Sequence, residues 1–295
     1  MRLTHRDLRT LEAVQRHWWL PSHYLHEFTK NIAHDMYGHR KSLKRLVEAG
    51  YLARPLAINN PMVKNDYLCY ALGEQGEKAL ALLGKKHRYT VPPGGGFAHA
   101  AMTVTITANI ELAATTAGFR YISQEEILAK APHETRAAKH PISLPAKISW
   151  RFPKGAQHSD RPTTPDQLFG IDYGEGCRFF AVEADRGTEI VEPSDLKANS
   201  ILRKLLSYRD ILNHHAYRKV WGIPNLLVLI VTTSEARVEN MLELAAKVIP
   251  SGSENILFTH IPGFDVFFRS PPLLPQLWDT PWKRTGHKPF DIGKA

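Results

Sequence analysis

The stretch that decides the fold reads Pro165-Asp166-Gln167-Leu168-Phe169-Gly170-Ile171-Asp172-Tyr173, then Gly174-Glu175-Gly176, then Cys177-Arg178-Phe179-Phe180-Ala181-Val182-Glu183-Ala184-Asp185-Arg186. Two β-rich runs flank a Gly-Glu-Gly turn, the pattern of a hairpin. Side chains alternate along a strand, so Phe180, Val182 and Ala184 share one face and Ala181, Glu183 and Asp185 the other. A two-residue turn at Gly174-Glu175 sets Asp166 opposite Glu183, whereas a turn at Glu175-Gly176 sets it opposite Asp185. Either register brings three carboxylates to one end of the hairpin. Such a cluster needs a divalent cation or a basic side chain to offset its repulsion. As a hard-oxygen metal set, Asp166, Glu183 and Asp185 suit Mg²⁺ or Mn²⁺ and phosphodiester hydrolysis, with the metal polarising the phosphate and activating water. The competing reading is structural, with Asp185 paired to Arg186, Lys197 or Lys204.

Downstream, Leu196 to about Val220 has helical spacing through Ile201, Leu202, Leu205, Tyr208 and Leu212, with Lys197, Lys204 and Tyr208 on its flank. A buried strand at Leu226–Val231, a helix at Ser234–Val248 and a strand at Ile256–Thr259 follow. Upstream, Ala98 to Ala117 reads as a helix ending at Gly118. Residues 121–163 show less pattern: a short helix start at Ser123-Gln124-Glu125-Glu126, a strand at Ile142–Ile148, and a loop over 151–163. This order of elements is α/β around a mixed sheet, over residues 98–262. A Pro-rich tail, residues 263–295, is expected to wrap this domain or contact a partner.

The run Pro92-Pro93-Gly94-Gly95-Gly96 marks a linker over residues 85–97, because it fits neither a helix nor a central strand. Before it, residues 1–84 form a separate module. Thr4 caps a helix carrying Leu8, Leu11 and Val14, and Pro21-Ser22 opens a second. A third helix runs from about Ala33 to Ala49 and ends at Gly50. The third helix presents His34, His39, Arg40, Lys41, Lys44 and Arg45 on its polar side. Two strands, Tyr51–Leu56 and Tyr67–Leu72, then form a two-stranded wing, and a last helix begins at Gly73-Glu74. The six histidines in residues 1–40 lack metal-ligand spacing and read as surface or capping residues.

Charge separates the two parts. The 295 residues carry 38 Lys+Arg and 29 Asp+Glu, a net +9. Residues 1–90 hold 15 and 8 of these, and residues 91–295 hold 23 and 21, so the N-terminal module together with the start of the linker carries +7, as expected of a part that meets a polyanion. No apolar run approaches the roughly 18 residues of a membrane span. Two cysteines, far apart, and an N-terminus without an apolar stretch fit a cytoplasmic protein that has no membrane partner.

Two resemblances follow from these residues. Ser42–Leu52 resembles the junction between recognition helix and wing in winged helix-turn-helix proteins. That implies double-stranded DNA as partner, contacted by Arg40, Lys41, Lys44 and Arg45, with Lys64 near the wing tip. Pro165-Asp166 followed by Glu183-x-Asp185 and a helix resembles the PD-(D/E)XK nuclease fold. The string Val182-Glu183-Ala184-Asp185-Arg186-Gly187-Thr188-Glu189, with Lys204 and Tyr208 beyond it, is similar to the replication-relaxation family of plasmid and mobile-element proteins, over roughly residues 5–250. The resemblance implies a DNA-binding accessory protein in replication, mobilisation or their regulation, with replication or mobilisation proteins as partners. The alternative is an Mg²⁺- or Mn²⁺-dependent endonuclease with Asp166, Glu183, Asp185 and Lys204 as catalytic residues. The family nuclease pattern has a lysine where Asp185 stands, and Lys204 or Lys197 is the substitute it implies. A homodimer stays open, since no heptad or dimer helix is visible.

Overall fold

The computed structural model describes residues 2–32, 35–54, 69–89, 96–264 and 271–294. The architecture is mixed α/β, and the chain divides into two compact units: Met1–Ala113 with Val266–Pro275, and Ala114–Asp265 with Gln276–Ala295.

The first unit begins with α1 (His5–His17), capped by a reciprocal pair in which Thr4 accepts from Asp7 N–H and Asp7 accepts from Thr4 N–H. Strand β1 (Trp19–Pro21), α2 (Ser22–Thr29) and α3 (Met36–Glu48) follow. Asp35 caps α3 through Tyr37 and Gly38 N–H groups. Strands β2 (Leu52–Ala53) and β3 (Cys69–Leu72) join β1 in an antiparallel sheet of order β1-β3-β2, and α4 (Glu74–Leu82) succeeds them. β1 is a third strand that the sequence pattern did not reveal, because it is three residues long and ends in proline. The region of Lys64 lies outside the described residues.

Helix α5 (Gly96–Thr116) is buried continuously from residue 100 to residue 111, with the polar Asn109 and Glu111 enclosed among its apolar residues. Its Ala101, Val104 and Ala108 pack with Leu11, Leu20, Leu43 and Leu80 in one core. That packing puts the division between units within α5, whereas the sequence suggested residues 85–97. The expected tail also divides. Leu274 N–H donates to Asn109 Oδ1 (2.6 Å), Asn109 Nδ2 donates to Tyr24 Oη (2.9 Å), and Tyr24 Oη donates to the Pro272 carbonyl (3.0 Å). Residues 271–275 are therefore part of the first unit.

The second unit has β4 (Arg120–Ile122), α6 (Gln124–Ala129), α7 (His133–Ala137), β5 (Ile148–Phe152), β6 (Gly155–Ser159), β7 (Gln167–Asp172), β8 (Cys177–Ala184), α8 (Ile201–Asn213) and α9 (Ala216–Trp221). Then come β9 (Leu227–Thr232), α10 (Glu235–Val248), β10 (Ile256–His260), α11 (Gln276–Asp279), β11 (Trp282–Arg284) and β12 (His287–Phe290). Seven strands form one mixed sheet of order β12-β11-β10-β9-β8-β7-β4. β8, β9 and β10 run parallel, joined by helical crossovers, and the outer pairs are antiparallel. β9 is buried at every residue, which explains its unbroken apolar run.

The hairpin adopts the Gly174-Glu175 register: Asp172 pairs with Cys177, Gln167 with Val182, and Tyr173 N–H donates to the Gly176 carbonyl at 2.9 Å. Gly174 has φ 89°, and glycine at the first central position of such a turn relieves the strain a side chain would meet there. Residues 151–163 are not a simple loop, since β5 and β6 pair as a second hairpin. The tail contributes α11, β11 and β12, and β11 extends the sheet beside β10.

Candidate functional site

In the first unit, α3 separates its residues by side. His39, Leu43 and Leu46 are buried, whereas Tyr37, Arg40, Lys41 and Lys44 are exposed. His39, placed on the polar side by the sequence, instead reaches the Ser22 carbonyl (3.0 Å), and burial lowers its pKa to about 4. The Lys41 ammonium lies 4.5 Å from the centre of the Tyr37 ring, and Lys44 is 3.7 Å from Glu48 on the same exposed face. Arg45 differs from its neighbours. Its Nη2 donates to Asp7 Oδ2 at 2.6 Å, and Ser42 donates to the other oxygen at 2.8 Å. Burial opposes the Asp7 charge, but the Thr4, Ser42 and Arg45 hydrogen bonds hold its pKa below the ordinary value. Arg45 thus ties α3 to the capped start of α1.

In the second unit, β8 and α8 bring a different set together. Glu183, 2% exposed, accepts from Tyr208 Oη at Oε1 (2.5 Å) and from Lys204 Nζ at Oε2 (2.9 Å). Residues 204 and 208 are four apart on α8, so both side chains meet the same carboxylate. Lys204 also reaches Glu189 Oε1 at 3.0 Å. Asp166 Oδ2 accepts from Ala184 N–H at 2.7 Å, across the ladder beside Glu183. Glu183 and Glu189 therefore share one ammonium, and the Asp166 charge acts on it from nearby.

The electrostatic result is specific. Burial raises the Glu183 pKa, and the Asp166 charge pushes it further; Lys204 and the Tyr208 hydroxyl oppose the rise without cancelling it. Burial alone would lower Lys204, but Glu183, Asp166 and Glu189 more than reverse that and hold it as an ammonium. Tyr208 is raised by burial and by the adjacent Glu183 charge.

Asp185 belongs to another arrangement. Arg237 of α10 donates through Nε to Asp185 Oδ2 (2.5 Å) and through Nη2 to Oδ1 (2.9 Å), while the Thr232 hydroxyl donates to Oδ2 (2.6 Å). Both oxygens are thereby occupied by a bidentate cation. Arg237 lies far downstream with no local signal to mark it. Lys197 precedes the Ser200 cap of α8, so it does not share the helix flank of Lys204 and Tyr208.

The hard oxygens of Asp166, Glu183 and Glu189 have the right chemistry for Mg²⁺ or Mn²⁺. Their placement does not make a ligand cage. Both Glu183 oxygens accept from protein donors, Asp185 is held by Arg237, and among the described residues no three His, Cys, Asp or Glu side chains are grouped to hold a metal ion. Glu189 Oε2 is a buried oxygen without a hydrogen-bond partner.

The replication-relaxation family matches residues 11–226, a span that takes in α3, the hairpin of β7 and β8, Lys204 and Tyr208. The chain belongs to the replication-relaxation family. Membership points to a role connected with replication or mobilisation. No curated protein and no solved structure matches the chain. Among the described residues, no helix is long and apolar enough to cross a membrane.

Proposed function

We propose that the chain is a DNA-binding accessory protein of a plasmid or other mobile element, acting in replication, mobilisation or their regulation. The observation that carries this reading is the exposed row of Tyr37, Arg40, Lys41 and Lys44 on α3, opposite a buried side. The order α1-β1-α2-α3-β2-β3 with its small antiparallel sheet supports a winged helix-turn-helix, in which such a helix lies in the major groove. Cationic side chains there hold phosphates and position the helix for base contact. Lys64 falls between β2 and β3 in sequence, the position of a wing. Double-stranded DNA is the partner, with replication or mobilisation proteins and a second copy of the chain as further ones.

The test is a titration of duplex DNA against salt. The Arg40→Ala/Lys41→Ala/Lys44→Ala variant is expected to flatten the dependence of log K on log salt by about 2–3, at about 0.9 per lost phosphate contact. Arg45→Ala is expected to act on stability instead, costing about 1 kcal/mol by removing one donor from buried Asp7. An unchanged slope in the triple variant refutes the assignment to α3.

The grouping of Asp166, Glu183 and Lys204 favours a second reading, an endonuclease of the PD-(D/E)XK type. The succession α5-β4-β7-β8-α8-β9 supports it, as does the ammonium Lys204 supplies where Asp185 replaces the expected lysine. Because the donors form no cage, no hydrolytic step is assigned to a metal. Supercoiled plasmid incubated with Mg²⁺ or Mn²⁺ decides the matter. Nicking that is lost in Glu183→Ala establishes the nuclease, and intact plasmid with both metals removes it.

A further inference from the structure

A second concentration of positive charge lies between β4 and β7. Residues 130–161 hold 7 Lys+Arg and 2 Asp+Glu, whereas the remainder of residues 91–295 holds 16 and 19. The near-neutrality of the C-terminal part is thus the average of a cationic insertion and an acidic remainder.

The β5–β6 hairpin organises this charge. Ile148 and Phe152 are buried and Trp150 is half-buried, so alternation turns Lys147, Ser149 and Arg151 outward. Across the ladder, Ser149 pairs with His158 and Arg151 with Ala156, so His158 joins the outer face. Lys154 sits in the two-residue turn closed by Phe152 and Gly155, and Arg161 follows β6. Lys147, Arg151, Lys154 and Arg161 are all exposed, and among the described residues none of their side chains is paired with a carboxylate. At about 3.4 Å per residue, Lys147 and Arg151 stand about 14 Å apart, close to the rise of about four base pairs.

Arg203 supplies a second, independent observation. It is 6% exposed, and its Nη2 donates to the Arg161 carbonyl at 2.8 Å. Its Nη1 is buried with no hydrogen-bond partner. A buried guanidinium answered only by a neutral carbonyl lacks the anion its charge calls for. Burial and the neighbouring Arg161 charge both work against that cation.

The hairpin lies along α8, since Lys147 N–H donates to Asp210 Oδ2 (2.9 Å) and Gln157 Oε1 accepts from Leu196 N–H (2.9 Å). We propose that the outer face of β5–β6, with Arg203 beneath Arg161, is a second nucleic-acid contact that holds the phosphates of a DNA backbone beside the helix carrying Lys204. The inference rests on the DNA-binding reading of the protein but on residues separate from α3.

The experiment uses the full chain and a short duplex, titrated between roughly 50 and 200 mM salt. A Lys147→Gln/Arg151→Gln/Lys154→Gln variant changes only exposed side chains and keeps the fold, which a thermal melt verifies. The expected result is a slope of log K against log salt flattened by about 2–3, and a further loss when the triple change is combined with Arg40→Ala/Lys41→Ala/Lys44→Ala. Arg203→Met is expected to weaken binding by about tenfold or more, on the scale of one charged hydrogen bond lost. A wild-type slope in the hairpin variant overturns the proposal and leaves an acidic protein segment as the occupant of this face. Loss through α3 with no effect of the hairpin refutes this inference alone, and the converse pattern refutes the α3 assignment while sustaining it.

Discussion

Glu111 and Glu183 are almost equally buried, at 5% and 2% exposure, and each touches basic groups, yet their charges are treated in opposite ways. In the first unit, Glu111 receives Arg16 at 2.6 Å on one oxygen and His17 Nε2 at 2.7 Å on the other, with His17 Nδ1 placed 3.1 Å from the Thr107 hydroxyl. Burial pushes against ionisation there, but Arg16 and His17 overcome it and lower the Glu111 pKa to about 2. In the second unit, burial and Asp166 raise the Glu183 pKa to about 7 despite Lys204. The difference is one of stoichiometry rather than depth. One carboxylate shared by two bases is a closed ion pair, whereas Glu183 shares its one ammonium with Glu189 and also feels the Asp166 charge, a repulsion that a proton on Glu183 relieves. Perturbation of the second kind is the sort found at reactive sites.

The largest expected effect breaks the first arrangement. Glu111→Gln removes a buried charge that Arg16 and His17 both contact and should cost about 3 kcal/mol, read as a lowered denaturant midpoint. Lys204→Met breaks the second. It should cost about 3 kcal/mol above neutral pH and less in acid, because Glu183 can take up a proton there. A loss independent of pH would show that Glu183 is held ionised.

Glu183→Gln sharpens the contrast. The amide resembles the protonated form that the raised pKa makes accessible near neutral pH, so the expected cost is about 1 kcal/mol, well below that of Glu111→Gln. Equal costs would mean that both glutamates are simple ion pairs.

The smallest effect is a slope. Glu111 contributes stability above the ordinary glutamate pKa of about 4.5, and that contribution is lost as pH falls toward 2. Glu183 behaves oppositely, since its folded pKa is raised: between about 4.5 and 7 the folded state binds more protons, so stability rises as pH falls through that window. Denaturation measured at pH 7 and pH 5 should show this rise in the wild type and its absence in Glu183→Gln.

Local pattern was enough to read much of this molecule. The Thr4 cap, the start of α2 at Ser22, the end of α3 before Gly50 and the alternation through β7 and β8 each depend on residues close to one another in sequence. The hairpin register came down to two choices because a glycine stands on each side of Glu175, and the observed pairing with Gly174 at positive φ selects the first. The partners of the charged residues were not legible. Arg237 and Asp185 are 52 positions apart, and Arg16 and Glu111 are 95 apart, so no spacing rule joins them. Arg45 looked equivalent to Lys44 because both sit on the same helix, and only Asp7 at the start of α1 separates their roles. The β5–β6 hairpin was hidden by Pro153 and Gly155, which punctuate its turn and resemble a loop.

The strap of residues 271–275 has a consequence for how the protein is made. Tyr24, Asn109 and the Leu274 amide complete one another's hydrogen bonds, so the N-terminal unit contains a piece synthesised after nearly all of the second unit. On the ribosome, chains emerge at about 5–20 residues per second, and an early module ordinarily folds as soon as it emerges. Here the first unit is completed only after residues 114–265 of the second have been made. A nascent chain stalled before Pro271 would carry α3 in a scaffold that still lacks the Pro272 carbonyl beside Tyr24 and the Leu274 amide on Asn109.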